Sequence, residues 1–277
     1  MAKRSILITG CSTGIGLCAA TELQQRGWRV FATARKMQDV EKLATLGLQS
    51  IQLDLNDSDS IQRAIQQVLN ETGGTLDALF NNAGLLIAGA TEDISRDLTR
   101  KQFETNVFGP MELIRQILPI MRKQGYGRIV QNSSILGVLT LPYYGAYNAS
   151  KYALEGFSLT LRQECRGTGI HVSIINPGPI TSELRNNAHQ IYGDTIAKLS
   201  TSSHQAAYRK LETAYFAPDH ASRKLQQSPH AVVKKLIHAL DSRRPKIHYY
   251  VGWPAQLLAI AKKILPEHML EWLLSKV

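Results

Sequence analysis

Two residues in the stretch GRIVQNSSILGVLTLPYYGAYNASKYALEGF, from Gly127 to Phe157, are suited to acid–base chemistry: Tyr147 and, four positions on, Lys151. If a helix starts there, positions i and i+4 share one face, and a phenol is held beside an ammonium. Tyrosine has an ordinary pKa of about 10, and a nearby cation favours the phenolate, which makes the pair a proton donor and acceptor usable near neutral pH. The same stretch opens with apolar residues from Arg128 to Asn132 that run into Ser133 and Ser134, the pattern of a buried strand ending at a reactive edge, with Ser134 at that edge. A Tyr and a Lys at this spacing more often mean a packed ring and a solvated charge. The rest of the chain decides between the two.

The elements that must position these groups alternate. Ser5 to Thr9 is a short apolar strand, followed by Gly10-Cys11-Ser12-Thr13-Gly14-Ile15-Gly16 and a helical pattern on Leu17, Ala20 and Leu23. Glycines allow a tight turn and the close approach of a pyrophosphate, and the next helix offers free N–H groups at its positive end, so this segment predicts dinucleotide binding. Trp28 to Thr33 predicts a second strand, ending in Ala34-Arg35-Lys36. An acidic residue there would bind ribose hydroxyls. Arg35 and Lys36 suit a 2′-phosphate instead, which favours NADP over NAD.

Gln49 to Leu53 predicts a third strand closing on Asp54 and Leu55, and Leu76 to Phe80 a fourth, closing on Asn81-Asn82-Ala83-Gly84. A long helix is expected next, its inner face on Phe103, Val107, Met111, Ile114, Leu118 and Met121, with Pro110 inside it. Proline cannot bond the Asn106 carbonyl, so a kink there would either free that carbonyl for a water or simply fit the sheet's curvature. Strand six, His171 to Ile175, ends in Asn176-Pro177-Gly178-Pro179-Ile180-Thr181. Glu183 to Gln227 is polar and strandless, with one amphipathic stretch on Tyr208, Leu211 and Tyr215 closed by Pro218, and is expected to cover the site as a lid. Its apolar or amphipathic contacts, Leu184, Ile191, Tyr192, Tyr208, Leu211 and Tyr215, favour a hydrocarbon-bearing substrate. Ser228-Pro229 starts a helix to Leu240, and Lys246 to Val251 predicts the last strand.

Composition narrows the partners. The net charge is +10, and residues 185 to 277 hold 14 basic against 6 acidic groups. No dense Lys/Arg run accompanies that excess, so no nucleic acid partner is expected. Three cysteines without CxxC spacing and eight histidines without HExxH spacing predict no metal site and fit a cytoplasmic setting. The apolar run after Met1-Ala2-Lys3-Arg4 is too short for a leader or a membrane span. The tail, 254 to 277, has an apolar stripe on Leu257, Ile260, Ile264, Met269, Trp272 and Leu273. It is expected to pack on its own or a neighbouring subunit, with peripheral membrane contact as the alternative.

Over about its first 180 residues the chain resembles the short-chain dehydrogenase/reductase family. TGxxxGIG stands at Thr9 to Gly16, NNAG at Asn81 to Gly84, the helix asparagine at Asn106, YxxxK at Tyr147 to Lys151 and PG at Pro177-Gly178. The serine of such enzymes lies thirteen before the tyrosine, which selects Ser134. FATAR at the end of strand two, the lid and the tail are similar to the retinol and 17β-hydroxysteroid dehydrogenase-like branch, which includes bacterial NADP-dependent aldehyde reductases.

The resemblance implies an α/β chain: one Rossmann domain, a doubly wound parallel sheet of about seven strands with a helical substrate lid and a C-terminal helical extension. Residues 1–182 would be the cofactor-binding and catalytic core, 183–227 the lid, and 228–277 the last helix, last strand and tail. It implies hydride transfer between the nicotinamide and a carbonyl carbon, which Arg35, Lys36 and the lid narrow to NADP and a lipophilic aldehyde or ketone, with Tyr147 as general acid or base, Ser134 bonding the oxygen and Asn106 holding a water. Lys151 would bind the nicotinamide ribose and lower the Tyr147 pKa. Thr9, Gly10, Ser12, Thr13, Gly14, Ile15 and Gly16 would form the phosphate loop, with Asp54, Leu55, Asn82, Ala83, Gly84, Pro177, Gly178, Ile180 and Thr181 completing the cofactor site. A homo-oligomer, dimer or tetramer, is expected. The alternatives are a 3-ketoacyl-carrier-protein-type reductase and a non-catalytic NADP-binding sensor or scaffold, and the retained Tyr147 and Lys151 speak against the latter.

Overall fold

The computed structural model describes residues 3–216 and 226–274; Pro218 and the side chain of Tyr215, both named above, lie outside the described part. Seven strands form one parallel sheet: β1 (Ser5–Ile8), β2 (Arg29–Ala34), β3 (Gln49–Gln52), β4 (Ala78–Asn81), β5 (Gly127–Asn132), β6 (Ile170–Pro177) and β7 (His248–Val251), in the order β3-β2-β1-β4-β5-β6-β7. The order reverses at β1, where β2 and β4 flank it, and an open parallel sheet has its crevice at that switch point.

Buried on both sides, the strands read as continuous apolar runs. Successive side chains point to opposite faces. Ile6, Ile8, Phe80 and Val130 thus meet α1 (Gly14–Gln25), α2 (Met37–Thr45) and α9 (Pro229–Asp241) through Ala20, Leu23, Leu43 and Leu236. On the other face Leu7, Leu79 and Ile129 meet α3 (Ser58–Thr72), α5 (Gly109–Gln124) and α6 (Gly145–Glu164) through Ile61, Ile65, Ile117 and Leu161. Sequence spacing settles several ends as well: Asp57 caps α3 by accepting from the N–H groups of Asp59 and Ser60 at 2.9 and 3.2 Å.

The long helix expected around Pro110 is divided. α4 (Arg96–Phe103) passes into one wide π turn, Glu104–Phe108, before α5 starts with Pro110 in its first turn. The inserted turn shifts the phase, so the buried stripe runs through Val107, Pro110, Leu113, Ile114, Ile117 and Met121, while Phe103, Met111 and Leu118 are only half-buried. The lid is more helical than expected: α7 (Leu184–Asp194), α8 (Gln205–Leu211) and a π turn at Glu212–Phe216. The tail forms α10 (Trp253–Ile264) and α11 (Glu267–Leu274). Ala255, Ala259, Leu270 and Leu274 bury against Ile135 and Leu139, so the tail packs on its own chain. Trp253, Leu257, Ile260, Ile264 and Trp272 face outward. Among the described residues no helix is long and apolar enough to cross a membrane.

Candidate active site

The carboxyl ends of the strands open into a cleft of about 720 Å³. Its wall includes Gly10, Ser12, Thr13, Gly14, Ile15, Arg35, Lys36, Asp54, Leu55, Asn82, Ala83, Gly84, Ser134, Tyr147, Lys151, Pro177, Gly178 and Ile180. Four expected site residues are placed elsewhere: Thr9, Gly16, Asn106 and Thr181 do not line it.

Their places have physical causes. The Thr9 hydroxyl is buried and accepts from the N–H groups of Asn82 and Ala83, both at 2.9 Å, so it joins the ends of β1 and β4. Gly16 lies where a Cβ would come within 2.1 Å of the Gly10 carbonyl; only glycine lets α1 pass this close to the turn. Thr181 turns outward, its N–H bonded to the Gln227 carbonyl at 3.0 Å. Asn106 is 1% exposed, and its side-chain amide is bonded to Leu85 and to the Ser150 hydroxyl; the water expected there concerns its main-chain carbonyl, which these bonds leave aside.

The cradle fits a dinucleotide. Gly10 has φ +69° and stands so near Ala83 that a Cβ would meet its Cα at 2.8 Å. Helix α1 begins at Gly14 without a side-chain cap from Thr13, which leaves its first N–H groups facing the cleft as an anion site. Asn82 donates to the carbonyls of Thr9 and Gly10 and accepts from Asn132, holding three strand ends in register. Arg35 and Lys36 stand exposed at the end of β2 on the same wall.

At the other end of the cleft the proton-transfer groups gather. Helix α6 presents Tyr147 and Lys151 on one face, with the Lys151 Nζ 5.8 Å from the centre of the Tyr147 ring. Lys151 is 4% exposed and donates to the Asn132 carbonyl at 2.9 Å; burial pulls its pKa down to about 8, with the Glu155 carboxylate pushing the other way. The Ser134 hydroxyl accepts from the Leu136 N–H at 3.1 Å, which caps a short turn at Ile135–Gly137 and leaves its own proton to donate. Tyr143, just before α6, takes a left-handed φ of 68°, a conformation costly for a side-chain-bearing residue, and its carbonyl accepts from the Gly89 N–H at 2.8 Å.

The lid contributes differently from expectation. Leu184 and Ile191 of α7 reach the cleft, joined by Asn187 and Asp194. Tyr192 and Tyr208 turn inward to a buried cluster with Leu86, Tyr144 and Phe216, with Leu211 half-buried against it. The Tyr208 hydroxyl accepts from the Ala90 N–H at 3.0 Å and donates to Asp93. Asp39, Asn132 and Ser182 also line the cleft and were not singled out from sequence; a strand-end carbonyl or a helix-first-turn acid has no local signature. Among the described residues Cys18, Glu22 and His230 converge, and Arg26 and His230 take the two Glu22 oxygens, so that Glu22 links α1 to α9 through the His230 ring.

Comparison with known proteins agrees with this geometry. The short chain dehydrogenase family model matches residues 4–192. An uncharacterized oxidoreductase of Escherichia coli (strain K12), YbbO, is 39% identical over 99% of this chain and 94% of its own. Human retinol dehydrogenase 5 is 32% identical over 98% of this chain and 89% of its own. A crystal structure of a short chain dehydrogenase/reductase from Burkholderia phymatum in complex with NAD is 25% identical, covers 93% of this chain and 92% of its own, and superposes with a TM-score of 0.77. With the family model matching residues 4–192 and a 39% identical relative spanning nearly the whole chain, the chain belongs to the short-chain dehydrogenase family of oxidoreductases.

Proposed function

We propose that this protein reduces lipophilic aldehydes or ketones with NADPH. The observation that carries the reading is that Tyr147, Lys151 and Ser134 line the same cleft as the glycine turn and the N-terminus of α1. When bound, a nicotinamide dinucleotide supplies the hydride to a carbonyl carbon or takes it from an alcohol. The Tyr147 hydroxyl gives its proton to the carbonyl oxygen as negative charge develops there, and the Ser134 hydroxyl donates a hydrogen bond to the same oxygen. Lys151, charged below about pH 8, favours the phenolate left on Tyr147. Asn106 enters as a positioning residue, holding Leu85 next to Ser150 of α6.

Gly10 to Ile15 would hold the pyrophosphate of a bound dinucleotide, and Asp54, Leu55, Asn82 to Gly84, Pro177, Gly178 and Ile180 would complete its site. Arg35 and Lys36 favour the 2′-phosphate, and Asp39, an acid on the same wall, has its carboxylate 3.5 Å from Lys42. The substrate reading rests on Leu184 and Ile191 in the cleft and on the name of the retinol dehydrogenase relative. Each methylene buried contributes roughly 0.8 kcal/mol, so KM falls with chain length until the pocket is full.

The test is turnover of straight-chain aldehydes and ketones with NADPH and NADH. Expected are higher kcat/KM with NADPH, a rise with chain length, and a narrowed or reversed cofactor preference in Arg35→Asp. Equal use of both cofactors overturns the Arg35 assignment. Activity confined to polar sugars overturns the substrate class, and no turnover with either cofactor overturns the reading itself.

A further inference from the structure

Helix α6 carries a second charged residue one turn beyond Lys151. Glu155 is 6% exposed, on the face that holds Tyr147 and Lys151. A carboxylate so placed is costly unless other groups satisfy it. Its partners come from separate segments. Asn176, at the end of β6, donates through Nδ2 to Glu155 Oε1 at 2.5 Å and to the Ser134 carbonyl at 3.1 Å, so a single amide joins Glu155 to the backbone of Ser134. His248 of β7 has Nδ1 at 3.2 Å from Asn176 Oδ1 and 3.6 Å from Glu155 Oε2. Since Oδ1 can only accept, Nδ1 carries the proton and His248 braces the amide that bonds Glu155. Gly137, in the turn after Ser134, leaves the room: a Cβ there would come within 3.0 Å of Glu155 Cγ.

We propose that Glu155 is a positioning residue of the site, placed one helical turn from Lys151 to act on its ammonium and, through Asn176, holding the backbone of Ser134. One side chain thereby ties the ammonium to the serine, although they come from different elements. The proposal rests on the roles given above to Tyr147, Ser134 and Lys151. Among the described residues Glu155 is the charged group that raises the Lys151 pKa against burial. Burial in turn raises the pKa of Glu155, and Ser133, Asn176 and Lys151 oppose that rise. The groups facing Glu155 are Lys151 on α6, the Ser133 hydroxyl after β5, Asn176 on β6, and His248 and Tyr250 on β7. Burial, with the charges of Lys263 and Arg162, lowers the His248 pKa.

Two substitutions separate the charge from the brace. Glu155→Gln keeps an oxygen for Asn176 and removes the charge; Glu155→Leu removes both. The first readout is NMR titration of the cofactor-free protein carrying ¹³Cε-lysine, the Lys151 signal being assigned by its loss in Lys151→Met. Losing a negative neighbour disfavours the ammonium, so in Glu155→Gln the Lys151 midpoint moves acidward by roughly one pH unit. An unmoved midpoint in the folded variant overturns the proposal, whatever the protein catalyses. In the second, the pH profile of carbonyl reduction, the alkaline limb of Glu155→Gln moves acidward while its KM for substrate stays near that of the unmutated protein. Glu155→Leu also loses kcat across the profile, and if it does not fold, Glu155→Gln still decides. A shifted midpoint in a protein that turns over no carbonyl supports the link from Glu155 to Lys151 and faults the assigned reaction instead.

Discussion

Asn106 is bonded at both ends of its amide to one residue, Leu85. Its Oδ1 accepts from the Leu85 N–H at 2.7 Å and its Nδ2 donates to the Leu85 carbonyl at 2.9 Å, with Ser150 taking a further hydrogen bond at 3.0 Å. This clamp fixes the segment just after Gly84, where a Cβ would lie 3.7 Å from Asn106 Oδ1 and 3.9 Å from Lys151 Nζ. Asn106→Ala strands the Leu85 N–H and is expected to cost roughly 1–3 kcal/mol in denaturant unfolding. Its kcat falls more than its KM rises, because Gly84 and Lys151 lose their common support. An unchanged unfolding midpoint would show that the clamp holds nothing.

Tyr147→Phe deletes a hydroxyl and keeps a ring that is 6% exposed. The expected result is a loss of about two to four powers of ten in kcat, the scale of general acid catalysis. Cofactor affinity, measured by fluorescence titration, stays within a few fold. Near-normal turnover excludes Tyr147 as the proton donor.

Lys151 gives activity and stability opposite slopes above neutral pH. Folding lowers its pKa from 10.5 to about 8, so between those values the unfolded chain binds the proton that the folded chain has released. Stability from this group therefore rises with pH across that window, while activity, which needs the ammonium, falls as pH passes about 8. Unfolding free energies of the unmutated protein and of Lys151→Met are expected to diverge in favour of the former by on the order of 3 kcal/mol between pH 8 and 10.5. A difference that is flat with pH would mean that the lysine titrates normally.

Tyr208 ties the lid to the loop after β4 through the Ala90 N–H, at 3.0 Å, and Asp93, which also accepts from Ser202 at 2.5 Å. Tyr208→Phe removes this latch and keeps the apolar packing. Amide exchange in α8 should speed up, and KM should rise more for long-chain than for short-chain carbonyl compounds. Equal change for both lengths would place the lid away from the hydrocarbon.

The glycine turn, the Tyr147–Lys151 pair, the basic end of β2 and the alternation of strands and helices were legible in the sequence because each rests on spacing within a few residues, where backbone geometry alone sets what faces what. Tertiary structure decided what those residues meet. Asn106 sits inside the protein because its partner lies 21 positions back, and Tyr208 turns inward to an amide 118 positions away. The phase of α5 depends on a π turn that Pro110 hints at without specifying, since a missing N–H can be absorbed by a kink or by a wider turn. The surroundings of Glu155 were not legible either: its spacing from Lys151 is that of any helical ion pair, and only the packing of β6 and β7 brings Asn176 and His248 to it and buries its carboxylate.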